Sequence, residues 1–116
     1  YMNNAKESKD YQIISTFGTA AVTAATEYAE YMTDATPYEF NLYGTGTGTA
    51  PTGDFETKVA AKVKELTYST VDNLKKDLKS KNGQSVTDIT ITITKAKVTA
   101  KAVGGNFETV ESTIGQ

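Results

Sequence analysis

Apolar positions recur with a helical period at the start of this chain and with a period of two at its end. From Tyr1 to Asp34 there is no proline, and Gly18 is the only glycine. Bulky residues fall at spacings of three and four through Ile13, Phe17, Ala20, Ala24, Tyr28 and Tyr31, which predicts one long amphipathic helix over 1–34. Such a helix is about 50 Å long, whereas a compact domain of this size has a radius of gyration of roughly 13 Å. Part of it is therefore expected to protrude or to be covered by another chain. The stretch before Ile13 (Asn3, Asn4, Lys6, Glu7, Ser8, Lys9 and Asp10) is polar nearly all round and predicts a solvated neck.

Beside the bulky stripe runs a second one of small residues: Ile14, Gly18, Ala21, Ala25 and Ala29, with Met32 at its end. The two together span on the order of 200°, twice what a surface helix needs. One arrangement sandwiches the helix between a sheet and other helices of its own domain. The other, which we take as the expectation, sets Ile13, Phe17, Ala20, Ala24 and Tyr28 on the chain's own sheet. It leaves Ile14, Gly18, Ala21, Ala25 and Ala29 as an assembly face for neighbouring copies.

Thr36-Pro37 ends the helix, because proline cannot continue the ladder and restricts the residue before it. Tyr38 to Tyr43 alternates like a short strand; Tyr38, Phe40 and Tyr43 are candidate ligand-stacking aromatics, but we take them as strand residues packing on the helix. Gly44, Thr45, Gly46, Thr47, Gly48 and Thr49 form a low-complexity run expected to be an exposed, flexible, variable loop over 35–53. Alternate glycines suggest a phosphate cradle, but a cradle needs a buried strand before it and a helix directly after it. This run leads into Pro51 instead.

Two short amphipathic helices are expected over 54–82. The first has Phe55, Val59, Val63 and Leu66 inward, with Thr52 or Asp54 at its start. The second has Val71, Leu74 and Leu78 inward, Ser69 or Thr70 as cap, and Asn82-Gly83 as a left-handed stop. Lys75, Lys76, Lys79 and Lys81 complement its C-terminal dipole.

From Val86 the period becomes two. Ile89, Ile91 and Ile93 alternate with threonines, then Ala96, Val98, Ala100 and Ala102 alternate with lysine and threonine. The apolar parity flips between Ile93 and Ala96, so two strands joined near Thr94–Lys97 fit better than one. Val103 to Asn106 signals another turn, and Phe107 to Ile114 a third strand. The fold class is α+β: a long N-terminal helix packed on an antiparallel meander of three to four strands over 86–114, in a single domain.

Composition narrows the chemistry. The 116 residues carry a net charge of −2, with no cysteine, histidine or arginine; all 12 basic residues are lysine. Disulfides, thiol chemistry and the commonest general base and metal ligand are absent. The Asp54/Glu56 pair alone does not make a catalytic site. No cofactor, metal or enzymatic activity is expected, and nucleic acid is not expected as a main ligand. No run of 18 apolar residues spans a membrane. No Asn-x-Ser/Thr sequon exists, so any glycan is O-linked.

The helix from Tyr1 to Tyr31, the loop, and the terminal strands from Asp88 through Ile93 and Val98 to Gly105 together resemble type IV pilins. The Ala/Thr-rich Thr19–Ala29 and the lack of cysteine are similar to the disulfide-free pilins of Gram-positive anaerobes. The resemblance implies a structural subunit of an extracellular, cell-surface filament used for adhesion or twitching motility. It implies identical subunits as partners, and residence in the cytoplasmic membrane before assembly. It also implies an apolar segment ahead of Tyr1, cut after a glycine, methylated, and carrying a glutamate fifth, through which assembly machinery and membrane act. The exposed loop would face solvent or a host surface ligand. A pseudopilin of a type II secretion or competence system shares the architecture. A small surface binding module, such as an adhesin or carbohydrate-binding domain, is the alternative from another class.

Overall fold

A computed structural model describes residues 2–33, 37–46 and 48–115. Helix α1 runs from Met2 to Glu27 and is followed by a single 3-10 turn, Ala29–Tyr31. It is shorter than expected: Tyr28 leaves helical geometry (φ −107°, ψ 22°), well before Pro37. The expected bounds at Tyr1 and at 34–36 lie outside the described residues. After β1 (Tyr38–Asn41) come α2 (Gly53–Leu66), α3 (Val71–Asp77) and α4 (Lys81–Gln84). The chain ends with β2 (Asp88–Ile93), β3 (Lys97–Val103) and β4 (Val110–Thr113).

The four strands form one antiparallel sheet in the order β1-β2-β3-β4. The parity flip is the β2–β3 hairpin, where Ile93 pairs with Val98 and Ile91 with Ala100. At the turn Thr94 donates its N–H to the Lys97 carbonyl, and its Oγ1 accepts from the amides of Ala96 and Lys97. On one face Phe40, Ile91, Ala100 and Val110 stand in register and are buried. The other face carries Glu39, Thr92, Thr99 and Glu111 in the next row, with Lys97 on Glu111 at 2.6 Å.

Both long helices lie on the buried face. Helix α1 packs over β3 and β4, and α2 lies beside it. Phe55 of α2 reaches β1, its ring 4.7 Å from that of Tyr38, and Lys62 of α2 meets Glu27 of α1 at 3.7 Å. Helix α1 is therefore covered on two adjacent flanks, which accounts for the width of its apolar surface.

The N-terminal turns are solvated at Asn4, Lys6, Ser8 and Lys9, as expected, but they are tied down at Asp10. Asp10 is buried, and its carboxylate accepts from the amides of Lys79 (3.0 Å) and Ser80 (2.9 Å) and from Ser80 Oγ (2.6 Å). Asn82 Nδ2 donates to Glu7 at 2.8 Å. This junction also corrects the expected role of Gly83. Helix α3 ends at Leu78, which turns extended (φ −87°, ψ 117°). Ser80 then caps α4, accepting from Gly83 N at 2.9 Å. Gly83 has no positive φ. A side chain there would collide with Asp10 Oδ2 and Leu78.

Asp10→Ala leaves three donors at this junction without their acceptor, at a cost of about 1–3 kcal/mol for each one that stays buried. We expect urea unfolding to show a loss of about 3 kcal/mol or more. A loss below about 0.5 kcal/mol, the range of an ordinary surface change, would mean that Asp10 does not hold the helix.

Candidate assembly surface

The two stripes of α1 are distributed differently from the expectation. Ile14, Gly18, Ala21 and Ala25, read as a face for neighbouring copies, are buried within the chain. A Cβ on Gly18 would stand 2.9 Å from Ser112 Oγ and 3.0 Å from Val110 Cγ1, both on β4. The small residues therefore receive the sheet, since a backbone without a side chain lets β4 close onto the helix. Ala29 alone of the five is exposed.

The bulky stripe faces the other flank. Phe17 lies edge-on to Tyr43 (6.4 Å between centroids) and stacks on Tyr68 (6.3 Å), which follows α2. Ala20 and Ala24 are buried with it, while Ile13 and Tyr28 are half-buried. The sandwiched alternative thus describes the inner side of the helix.

What remains open on α1 is a strip of hydroxyl and small apolar residues. Tyr11, Thr19, Thr26 and Ala29 are exposed, and Ser15 and Val22 half-buried. Several hydroxyls turn back onto the helix: Ser15 donates to Tyr11 O (2.9 Å), Thr16 to Ile13 O (2.6 Å) and Thr23 to Thr19 O (3.2 Å). Ser15 lies on the strip and Thr16 and Thr23 beside it, so the donor capacity of these three is used internally. A shallow groove lies at each end of the strip. One, of about 560 Å³, is lined by Ser8, Tyr11, Gln12 and Phe107 among others. The second, of about 340 Å³, is lined by Ala25, Thr26, Ala29, Met32, Lys95 and Ile114. The strip was missed in the sequence because threonine reads as polar wherever its hydroxyl points.

The glycine-threonine loop is tied down at both ends. Asp88, buried at the start of β2, accepts from the amides of Tyr43 (2.9 Å), Thr45 (2.9 Å) and Ile89 (2.7 Å). Thr45 Oγ1 donates to Thr87 O at 2.7 Å, and Asn41 N to Thr49 O at 2.7 Å. Gly44 and Gly46 take positive φ of 67° and 86°. Gly44, Thr45, Gly46, Gly48 and Thr49 are exposed; Thr47 lies outside the described residues. The loop is an anchored excursion, not a free tether.

The aromatics considered for ligand stacking are engaged elsewhere. Phe40 is buried, Tyr38 packs on Phe55, and Tyr43 donates its hydroxyl to Tyr68 O at 2.6 Å. Glu56 accepts from Thr52 N at 2.9 Å, clamping the start of α2, so the Asp54/Glu56 pair is a helix-start feature. Among the described residues no group of three or more acidic, histidine or cysteine side chains is placed to hold a metal. No described helix is long and apolar enough to cross a membrane. No family model, curated protein or solved structure matches this chain.

Burial pushes the Tyr43 hydroxyl well above its ordinary value, with the charge of Asp88 adding to it. Tyr68 is pushed up to about 12, first by burial and then by its hydrogen bond to Asp77. A phenol whose folded pKa exceeds its unfolded one contributes fully below the unfolded pKa, and its contribution falls as pH rises through the folded value. For Tyr68 that window runs from 10.0 to about 12. Thermal unfolding is expected to lose stability across it, and Tyr68→Phe to lose less over the same window than the parent. Parallel curves for the two proteins would refute the assignment.

Proposed function

We propose that this chain is the globular part of a structural filament subunit on the type IV pilin plan, polymerising outside the cell for adhesion or surface motility. The observation that carries the reading is the placement of α1. It is the longest element, and a contiguous β2-β3-β4 meander packs against its inner side. Its outer side stays open along its length. A helix used this way serves the domain with one side and leaves the other for a partner. The engaged aromatics give the binding-module alternative no comparable support.

In this reading the assembly face is the outer strip of Tyr11, Ser15, Thr19, Val22, Thr26 and Ala29, in place of Ile14, Gly18, Ala21 and Ala25. Past Tyr11 the strip carries only small or short side chains, and the Ser15 hydroxyl is already bonded to Tyr11 O, so another subunit can approach closely. Identical subunits are the proposed partners.

Two measurements test this. The intact mass and N-terminal residue of the protein from its own cells are expected to reveal about 24 mostly apolar residues ahead of Tyr1. They should begin with a methylated residue and carry a glutamate fifth. A native chain without that segment ends the filament reading. Within a full-length subunit, Thr19→Glu with Thr26→Glu should abolish filaments while changing stability by about 0.5 kcal/mol or less each. Undiminished filaments would exclude the outer strip as the assembly face.

A further inference from the structure

Asn82 and Gly83 form an Asn-Gly pair, in which no side chain on the second residue hinders attack by its backbone nitrogen. We propose that this pair is a modification site, where spontaneous succinimide chemistry converts Asn82 to aspartate or isoaspartate and so releases the first turns of α1 from α4. The proposal does not rest on the filament reading.

The step balances without a co-reactant other than water. Gly83 N attacks Asn82 Cγ and gives up its proton to solvent. The Cγ–Nδ2 bond breaks, and the nitrogen leaves as ammonia. Water then opens the ring at one of its two carbonyls, giving aspartate or isoaspartate.

Two contacts hold this chemistry back in the folded chain. The Gly83 N–H donates to Ser80 Oγ at 2.9 Å, as part of the cap of α4. Asn82 Nδ2 donates to Glu7 Oε2 at 2.8 Å, which keeps the carboxamide turned toward α1. Both must break before nitrogen and Cγ can meet. Helix α4 has only four residues, so the reaction is gated by its local opening.

Conversion removes one of the bonds that join the two helices, that from Asn82 to Glu7. The donor to Glu7 becomes a second carboxylate facing the first. Isoaspartate also adds a methylene to the main chain where there is little room. Gly105 lies so close that a Cβ on it would stand 2.5 Å from the Asn82 carbonyl, and Asp10 crowds Gly83 on another side. The product therefore strains the junction at which Asp10 holds the amides of Lys79 and Ser80.

The test incubates the intact protein, folded and in denaturant, at mildly alkaline pH. Peptide mapping and isoaspartyl-specific methyl labelling follow residue 82. Conversion is expected in both, roughly tenfold or more slower in the folded chain. Glu7→Ala, on an outer turn, should speed the folded reaction several-fold. Asn82→Asp, which supplies the product's charge alone, should raise amide hydrogen exchange over Glu7–Tyr11 while leaving the sheet protected. Equal rates in the folded and denatured chains would overturn the proposal. So would the absence of conversion at Asn82 in the folded protein, or unchanged exchange in Asn82→Asp.

Discussion

The buried carboxylate of Asp10 sits where the two halves of the chain must meet. It lies on the first helix, yet its three hydrogen bonds go to Lys79 and Ser80, some 70 positions later. A buried carboxylate is tolerated only when its oxygens are occupied, so the turn after α3 has to present two amides and a hydroxyl to it. That requirement explains the short α4, its serine cap, and a glycine at 83 with no room for a side chain. With this end closed, the direction of α1 across β3 and β4 is set, and Gly18 is brought against β4.

Asp88 plays the same part at the other junction. It begins β2 and gathers the amides of Tyr43, Thr45 and Ile89, so the loop after β1 returns to the sheet. Each buried aspartate converts an irregular segment into one with satisfied backbone donors. Between them, α1 and α2 cover the apolar face of a sheet whose opposite face is threonine, lysine and glutamate. Both buried carboxylates thus serve the architecture of the domain.

That surface is asymmetric. The inner flanks of α1 are committed to β3, β4 and the rings of Tyr43 and Tyr68, and the outer flank is left with small side chains. The Ser15 hydroxyl, bonded to the helix's own Tyr11 carbonyl, needs no new partner when such a flank is covered. This is why the proposed assembly face is the outer strip and not the stripe with the strongest apolar signal.

Periodicity alone determined the long helix, though not its end at Glu27, the helices α2 and α3, though not the separate α4, the β2–β3 hairpin at the parity flip, and an α+β meander beneath the helix. Those features depend on near neighbours: the three-and-four spacing of apolar residues, a capping threonine such as Thr70, or a change from odd to even positions along a strand. Tertiary structure decided which stripe of α1 meets the sheet, because a helical wheel gives the width of an apolar surface and not the identity of what covers it. It also decided that Asp10 and Asp88 are buried clamps and that Gly83 is a packing glycine. Both depend on partners tens of residues away, whose approach no local pattern encodes.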